Sequence, residues 1–409
     1  MESILRSAII WLVAVFNAHR PRIRNLPLTI PSFFAGWIVT EAAGLFAAGR
    51  VVHIARAWCR GRYRSTQGKV ALGLDVGVIA GLAALVAAGR RVDEEMEAAL
   101  APHVDRDFVA DRPSSVRRGA VFPVMMGAST TKMTRNVGYI DEARWRNTLD
   151  IYEPKHGDVV DGESAVAPRP AIIEVHGGGW VIGNKNQQGL ALLHHMVKQG
   201  WVGFNVNYRL APKAKFPEQL IDCKRAIAWV RANAERLNID PNFIVVTGGS
   251  AGGYLTAMIA LTANDPEFQP GFEDADTSVA AAVAFYGVYD LVDEDHTMVR
   301  LFAEFMEQMV VGSSRVEDRE RWDRYSPIRR VRRDAPPMLI LHGAADTLVP
   351  VEQGREFVAA LAAVSDNPVI YAELAGANHA FDIFPSPRSV RVVEFVERFL
   401  TGLRQGVLR

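Results

Sequence analysis

Cysteine is almost missing: Cys59 and Cys223 are the only two in 409 residues. A disulfide framework is therefore excluded beyond a single bridge, and neither cysteine has neighbours at metal-ligand spacing. Net charge is missing as well. Lys and Arg number 46, Asp and Glu number 46, and the formal charge at pH 7 is +0, which excludes the bulk basic character of a nucleic-acid-binding chain. There is no internal repeat and no long low-complexity tract. Neither glycine run ends in Gly-Lys-Ser/Thr or completes G-x-G-x-x-G, so phosphate or dinucleotide binding has no motif behind it. His194-His195 has no carboxylate or third histidine at ligand spacing, and no metal or organic cofactor is implied.

The neutral total conceals an uneven distribution. Before Asp93 stand twelve basic residues and three acids, Glu2, Glu41 and Asp75, a surplus of nine that the remainder balances. The same region holds three apolar stretches, Ala8 to Phe16, Leu28 to Ala48 and Val70 to Ala88. The second and third approach the roughly 20 residues needed to cross a bilayer, and their Gly and Ala content suits close helix packing. Glu41 and Asp75 are costly at membrane depth unless paired. Basic loops at 19–24 and 50–69 flank these stretches, as they do beside anionic headgroups, but both flanks of the second are basic, so orientation stays open. The expectation is a helical region over residues 1–92 that associates with a membrane; failing that, the chain is expected to be cytoplasmic. Interfacial helices, a re-entrant hairpin and a buried cap of a soluble enzyme are the alternatives. Phe16-Asn17-Ala18 makes no small-x-small cleavage site. Residues 93–138, with Pro102, Pro113 and Arg117-Arg118, are expected to be a linker carrying one cap helix from Asp93 to Leu100.

From Tyr139 onward, over residues 139–409, strand-like and helix-like segments alternate, which predicts a mostly parallel sheet covered on both faces. Strands are expected at 147–152, 171–175, 201–208, 244–247, 279–286, 338–341 and 369–374, and helices at 217–236 and 389–403. One turn organises this part. The apolar run Ile244-Val245-Val246 enters Gly248-Gly249-Ser250-Ala251-Gly252-Gly253, and a helical pattern follows. G-x-S-x-G puts a serine on a sharp strand-to-helix turn with its hydroxyl clear of the sheet. The next amide groups open a helix and face developing negative charge.

Around this turn, in order, lie His176-Gly177-Gly178-Gly179-Trp180, Asn207-Tyr208-Arg209-Leu210-Ala211-Pro212, Phe216-Pro217, His342-Gly343-x-x-Asp346-x-Leu348-Val349-Pro350 and Asn378-His379-Ala380-Phe381. With that ordered set, the chain from Tyr139 to the C-terminus resembles the hormone-sensitive-lipase-like carboxylesterases of the α/β-hydrolase fold. The first hundred residues lie outside the resemblance. It implies ester hydrolysis through an acyl-serine, with Ser250 as nucleophile, His379 as general base and Asp346 orienting it. It further implies an oxyanion hole from the N–H groups of Gly177, Gly178 and Ala251, with Trp180 as a pocket wall. An apolar insertion at 291–322, with Leu301, Phe302, Phe305, Met306, Met309 and Val310, either lines an acyl pocket or packs on the core. Beside an apolar N-terminal region, such a pocket suggests a hydrophobic or lipid-derived ester as substrate. An amidase or arylformamidase on the same triad, and a ligand-binding protein on a disabled hydrolase fold, are the rival readings. His176 and His342 are expected to orient loops, Asp290 is an alternative acid, and Asp382 a local turn residue. One departure stands out: family members often carry an acid just before the serine, where this chain has Gly249.

Overall fold

The computed structural model describes residues 2–19, 28–104, 131–155, 167–298, 300–384 and 386–408; Pro113, Arg117, Arg118 and most of the first basic loop lie outside them. Its centre is an eight-stranded sheet: β1 (Thr131–Gly138), β2 (Thr148–Pro154), β3 (Arg169–Val175), β4 (Val202–Val206), β5 (Ile239–Gly249), β6 (Ala281–Phe285), β7 (Met338–Gly343) and β8 (Val369–Leu374). The strands lie in the order β1-β2-β4-β3-β5-β6-β7-β8. β1 and β2 are antiparallel to their neighbours, and every pair from β4 to β8 is parallel. Parallel strands covered on both faces must be apolar throughout. Ile172, Val245, Val246, Val283 and Ile340 are each fully buried, contributing about 1.5–3 kcal/mol apiece relative to exposure. Two apolar cores result, one on each face of the sheet.

The chain runs outward from β3 to β4, then returns to the other side of β3 with β5. At such a reversal, loops leaving the carboxyl ends of neighbouring strands open a crevice. Here those loops are the glycine turn after β3 and the Ser250 turn after β5.

β1 corrects the reading of 93–138 as linker. It pairs with β2 ahead of Tyr139, and its mostly exposed, polar residues (Lys132, Thr134, Arg135, Asn136) hide an edge strand from any apolar pattern. The helix expected at 217–236 is interrupted at Asn233, giving Glu218–Ala232 and Ala234–Leu237.

Among the described residues, five α-helices precede the sheet: α1 (Glu2–His19), α2 (Thr29–Glu41), α3 (Ala43–Cys59), α4 (Thr66–Arg90) and α5 (Val92–Leu100). The apolar stretch at 28–48 is not one straight helix, because α2 and α3 meet at Ala42 with a bend of 80°. Both acids in these stretches are paired. Asp75, fully buried in α4, accepts from Arg50 Nε at 3.0 Å and from Tyr63 Oη at 3.0 Å. Glu41 is turned toward the hydrolase part, where it pairs with Arg388 Nη1 at 2.5 Å and Ser386 Oγ at 2.6 Å. Glu41 is the last residue of α2, directly before the bend. α1 packs tightly on α4, where a Cβ on Gly81 would stand 2.4 Å from Val15.

The helices therefore divide by what they bury. Phe33 and Trp37 of α2, with Val92, Met96 and Leu100 of α5, belong to one sheet core. α1, α3 and α4 share small cores of their own and leave Ile10, Val13, Phe16, Leu45, Val51 and Val76 exposed. In α4, only 28% of an apolar membrane-length window is buried.

Candidate active site

β5 ends at Gly249, a helix begins at Ala251, and Ser250 is the single residue between them. Its φ of 59° and ψ of −120° are strained for a side chain with a Cβ. The strain persists because the turn is held from several sides. Ser250 N donates to Phe285 O at 2.9 Å, and Tyr254 N donates to Ser250 O at 2.9 Å. Gly252 admits no larger residue, since a Cβ there would lie 2.0 Å from the Val175 carbonyl.

Asp346, after β7, accepts from Leu348 N at 2.9 Å and Val349 N at 2.8 Å through Oδ1. Its Oδ2 faces His379 Nδ1 at 2.7 Å and His342 Nε2 at 3.5 Å. Burial alone would raise the carboxyl, but the His379 charge and the two histidine hydrogen bonds outweigh it and hold it at about 2. Asn378 Oδ1 accepts from His379 N at 2.8 Å and from Thr347 N at 3.2 Å, tying the loop after β8 to the loop after β7. Asp290 takes no part: its carboxylate caps the turn at Val292 N, 3.0 Å, and Glu294 N, 3.2 Å.

Tyr286 touches both the turn that carries Ser250 and the ring of His379. The Tyr286 ring lies 4.6 Å from the His379 ring, and its hydroxyl occupies the space beside Gly249, where a Cβ would come within 2.6 Å. That hydroxyl also hydrogen-bonds Asp382. Burial, then the Asp382 charge, pushes the phenol well above its ordinary range, and burial raises Asp382 despite that bond. The place of the acid that family members often carry before the serine is thus filled by a tyrosine. Among the described residues no hydrogen bond joins Ser250 directly to His379; such bonds commonly tighten only when substrate is bound.

The glycine turn corrects one expectation. Gly177 N donates to Gln188 Oε1 at 2.7 Å, so this amide is committed and is not free for an oxyanion. Gly178, with φ of +115°, and Gly179, with φ of +58°, have no acceptor against their N–H groups among the described residues. Ala251, first in its helix, has no intrahelical partner for its amide. Trp180 is a second correction. Its side chain is 1% exposed and packs edge-on against Tyr254 at 5.1 Å, so it supports the turn from behind and is not an accessible wall. The aromatic ring beside the glycine turn is Phe305, which would stand 3.8 Å from a Cβ on Gly179; it comes from the helix Arg300–Phe305 of the apolar insertion.

The other motif residues form the frame. His176 bonds Gly177 O through Nδ1 at 2.7 Å and stacks on Tyr208 at 4.2 Å; burial lowers its pKa to about 4 and keeps it neutral. Tyr208 Oη donates to His176 O at 2.7 Å, and Arg209 grips Asp222 with two bonds of 2.8 Å. His194 and His195 have separate partners, Thr131 and Glu397, and no metal-holding cluster of His, Cys, Asp or Glu occurs among the described residues.

The remaining neighbours of His379 come from outside the resemblance. Phe33 of α2 meets its ring edge-on at 6.1 Å, and Trp37 Nε1 donates to Ala380 O at 2.9 Å. Phe33, Trp37 and Gln188 carried no motif in the sequence. Tyr286 had one signal, its place at the carboxyl end of the strand beside β5.

Residues 149–361 match the BD-FAE family. The probable carboxylic ester hydrolase LipM of Mycobacterium tuberculosis is 37% identical over 96% of this chain and 91% of its own length. Esterase LipQ of the same organism is 39% identical over 78% of this chain and 79% of its own. Among solved structures, an esterase from Thermogutta terrifontis superposes with a TM-score of 0.54 and 26% identity, covering 68% of this chain and 94% of that one.

Proposed function

We propose a mechanism for a chain that belongs to the hormone-sensitive-lipase-like carboxylesterases of the α/β-hydrolase fold: Ser250 attacks the ester carbonyl while His379 takes its proton. Asp346 holds the imidazole with Nδ1–H toward itself, which leaves Nε2 as the base, and stabilises the imidazolium that forms. The oxyanion is received by the N–H groups of Gly178, Gly179 and Ala251, each donor contributing about 3–4 kcal/mol to the transition state. His379 then protonates the departing alcohol, and water attacking the acyl-serine repeats the sequence in reverse. The single observation that carries this reading is the 2.7 Å bond between His379 Nδ1 and Asp346 Oδ2 at the same sheet edge as the strained Ser250 turn.

The substrate is a hydrophobic or lipid-derived ester, and residues 1–92 associate with a membrane, with residues 139–409 as the catalytic part. Phe305 on one side and Phe33 on the other give the site apolar flanks. The unpaired apolar faces of α1, α3 and α4 support docking on lipid, where such surface is satisfied.

The experiment is hydrolysis of p-nitrophenyl esters from acetate to palmitate by the wild type and Ser250→Ala. Turnover that vanishes in the variant and extends beyond butyrate is expected. Turnover retained in the variant refutes the nucleophile, and collapse beyond two to four acyl carbons refutes the lipid-derived substrate. A folded wild type that hydrolyses anilides and no ester would make it an amidase. Co-sedimentation with vesicles of neutral and anionic phospholipid tests membrane association separately; a protein left in the supernatant refutes it.

A further inference from the structure

The histidine loop is held from outside the sheet. Ala380, next to His379, has φ of +58°, a left-handed conformation that a residue with a Cβ adopts at a cost. Its carbonyl receives the Trp37 indole N–H at 2.9 Å, a buried contact. Trp37 is kept in place by stacking on Phe384 at 4.4 Å and on Phe33 at 5.7 Å, and Phe33 in turn meets the His379 ring. One helical turn beyond Trp37, Glu41 grips Ser386 and Arg388. At the other end of the same loop, Ala375 N donates to Glu95 Oε2 of α5 at 3.0 Å. N-terminal helices therefore hold this loop near both of its ends and beside the base; the Ala380 carbonyl, which also accepts from Ile383 N at 3.3 Å, is where Trp37 bonds it.

We infer that Trp37 is a positioning residue for His379, and that α2 makes the N-terminal helical region part of the catalytic machinery and not a detachable anchor. The inference rests on His379 being the general base. The indole N–H, the shorter of the two bonds to the Ala380 carbonyl, joins Ile383 N in fixing it; the carbonyl fixes the left-handed backbone, and that backbone aims the imidazole between Ser250 and Asp346. Small angular errors at a base are costly because proton transfer requires close, aligned donor and acceptor.

The test uses the full chain in detergent with p-nitrophenyl butyrate. Trp37→Phe keeps the ring stack and removes only the N–H. The expected result is a three- to tenfold fall in kcat with KM within twofold, and an equal fall in the rate of labelling by a serine-reactive phosphonate. Ala380→Gly, which relieves the left-handed backbone, recovers at least half of the lost rate when added to Trp37→Phe. An unchanged kcat in Trp37→Phe overturns the inference. So does a fall that Ala380→Gly leaves untouched, which would mark Trp37 as structural. His379→Ala run in parallel separates the two claims: full activity there removes the catalytic reading itself, whereas an inactive His379→Ala beside a fully active Trp37→Phe removes only the inference. Vesicle co-sedimentation of Trp37→Phe is expected to match the wild type.

Discussion

Gly249→Ala is the sharpest probe of how this site differs from relatives that carry an acid before the serine. Gly249 has an ordinary negative φ, so the backbone tolerates a Cβ and only its surroundings object. A Cβ there would lie 2.6 Å from Tyr286 Oη, 2.8 Å from Cε2 and 2.9 Å from Cζ. Restoring ordinary contact requires the ring to move by about 1 Å. It has little room to do so: Tyr286 is 1% exposed, bonded to Asp382 and packed against Phe381 at 5.2 Å and His379 at 4.6 Å. Overpacking of this kind costs about 1–3 kcal/mol. The ring packs near His379, and a shift of that size passed on to a base costs up to about a hundredfold in rate, so kcat is expected to fall at least tenfold. Thermal unfolding and p-nitrophenyl butyrate turnover read the two effects. Tyr286→Phe removes the closest of the three atoms, so the added cost of Gly249→Ala is smaller in that background. If Gly249→Ala leaves stability and kcat unchanged, or costs the same in both backgrounds, Tyr286 does not occupy the space as argued.

Three other outcomes follow from buried charge. Glu41→Leu leaves Arg388, 3% exposed, without its carboxylate and is expected to cost about 3–5 kcal/mol in denaturant unfolding, whereas Glu41→Leu with Arg388→Met recovers most of it; equal losses in single and double variants would refute the pairing. Asp346, held at about 2 by its histidines against an ordinary 3.8, contributes stability that is present above its unfolded value and lost as pH falls through about 2. Asp346→Asn is expected to flatten that acid limb by on the order of 2 kcal/mol, and an unchanged limb counts against the pairing. Glu174, buried on β3, is pushed well above 4.5 by burial and then by Asp382. As pH rises past the unfolded value, the unfolded chain releases a proton that the folded chain keeps, so Glu174 lowers stability with pH. Glu174→Gln is expected to raise the melting temperature more at about pH 8 than at about pH 5, and the opposite order refutes the shift.

What could be seen in the sequence was whatever the backbone itself demands. Gly252 is legible because no Cβ fits against Val175, and the parallel strands are legible because burial on both faces leaves only apolar residues such as Val245 and Ile340. The triad members stand at strand ends, where a motif fixes them within a few residues. What escaped detection depends on side chains meeting across long separations. Gln188 reaches back to Gly177 and takes its amide, and no spacing rule shows that. β1 is polar because it lies at an edge. The stretch 28–48 has the length of one apolar helix, and its break at Ala42 stands beside Glu41, which meets Arg388, a residue 347 positions away. Trp180 follows the glycines as a pocket residue would, but its φ of 62° turns the indole into the core.

The Glu41–Arg388 pair also bears on the order in which the protein can be completed. Glu41 leaves the ribosome 347 residues ahead of Arg388. At ordinary synthesis rates the interval is on the order of tens of seconds. Throughout it α2 carries an unneutralised carboxylate next to Phe33, Phe34, Trp37 and Ile38, which makes that helix a poor candidate for settling early into lipid. α4, whose Asp75 meets Arg50 and Tyr63 only 25 and 12 residues away, has no such delay. The nascent helical region is thus able to close upon itself at once, while its attachment to the histidine loop waits for the C-terminal helix to emerge.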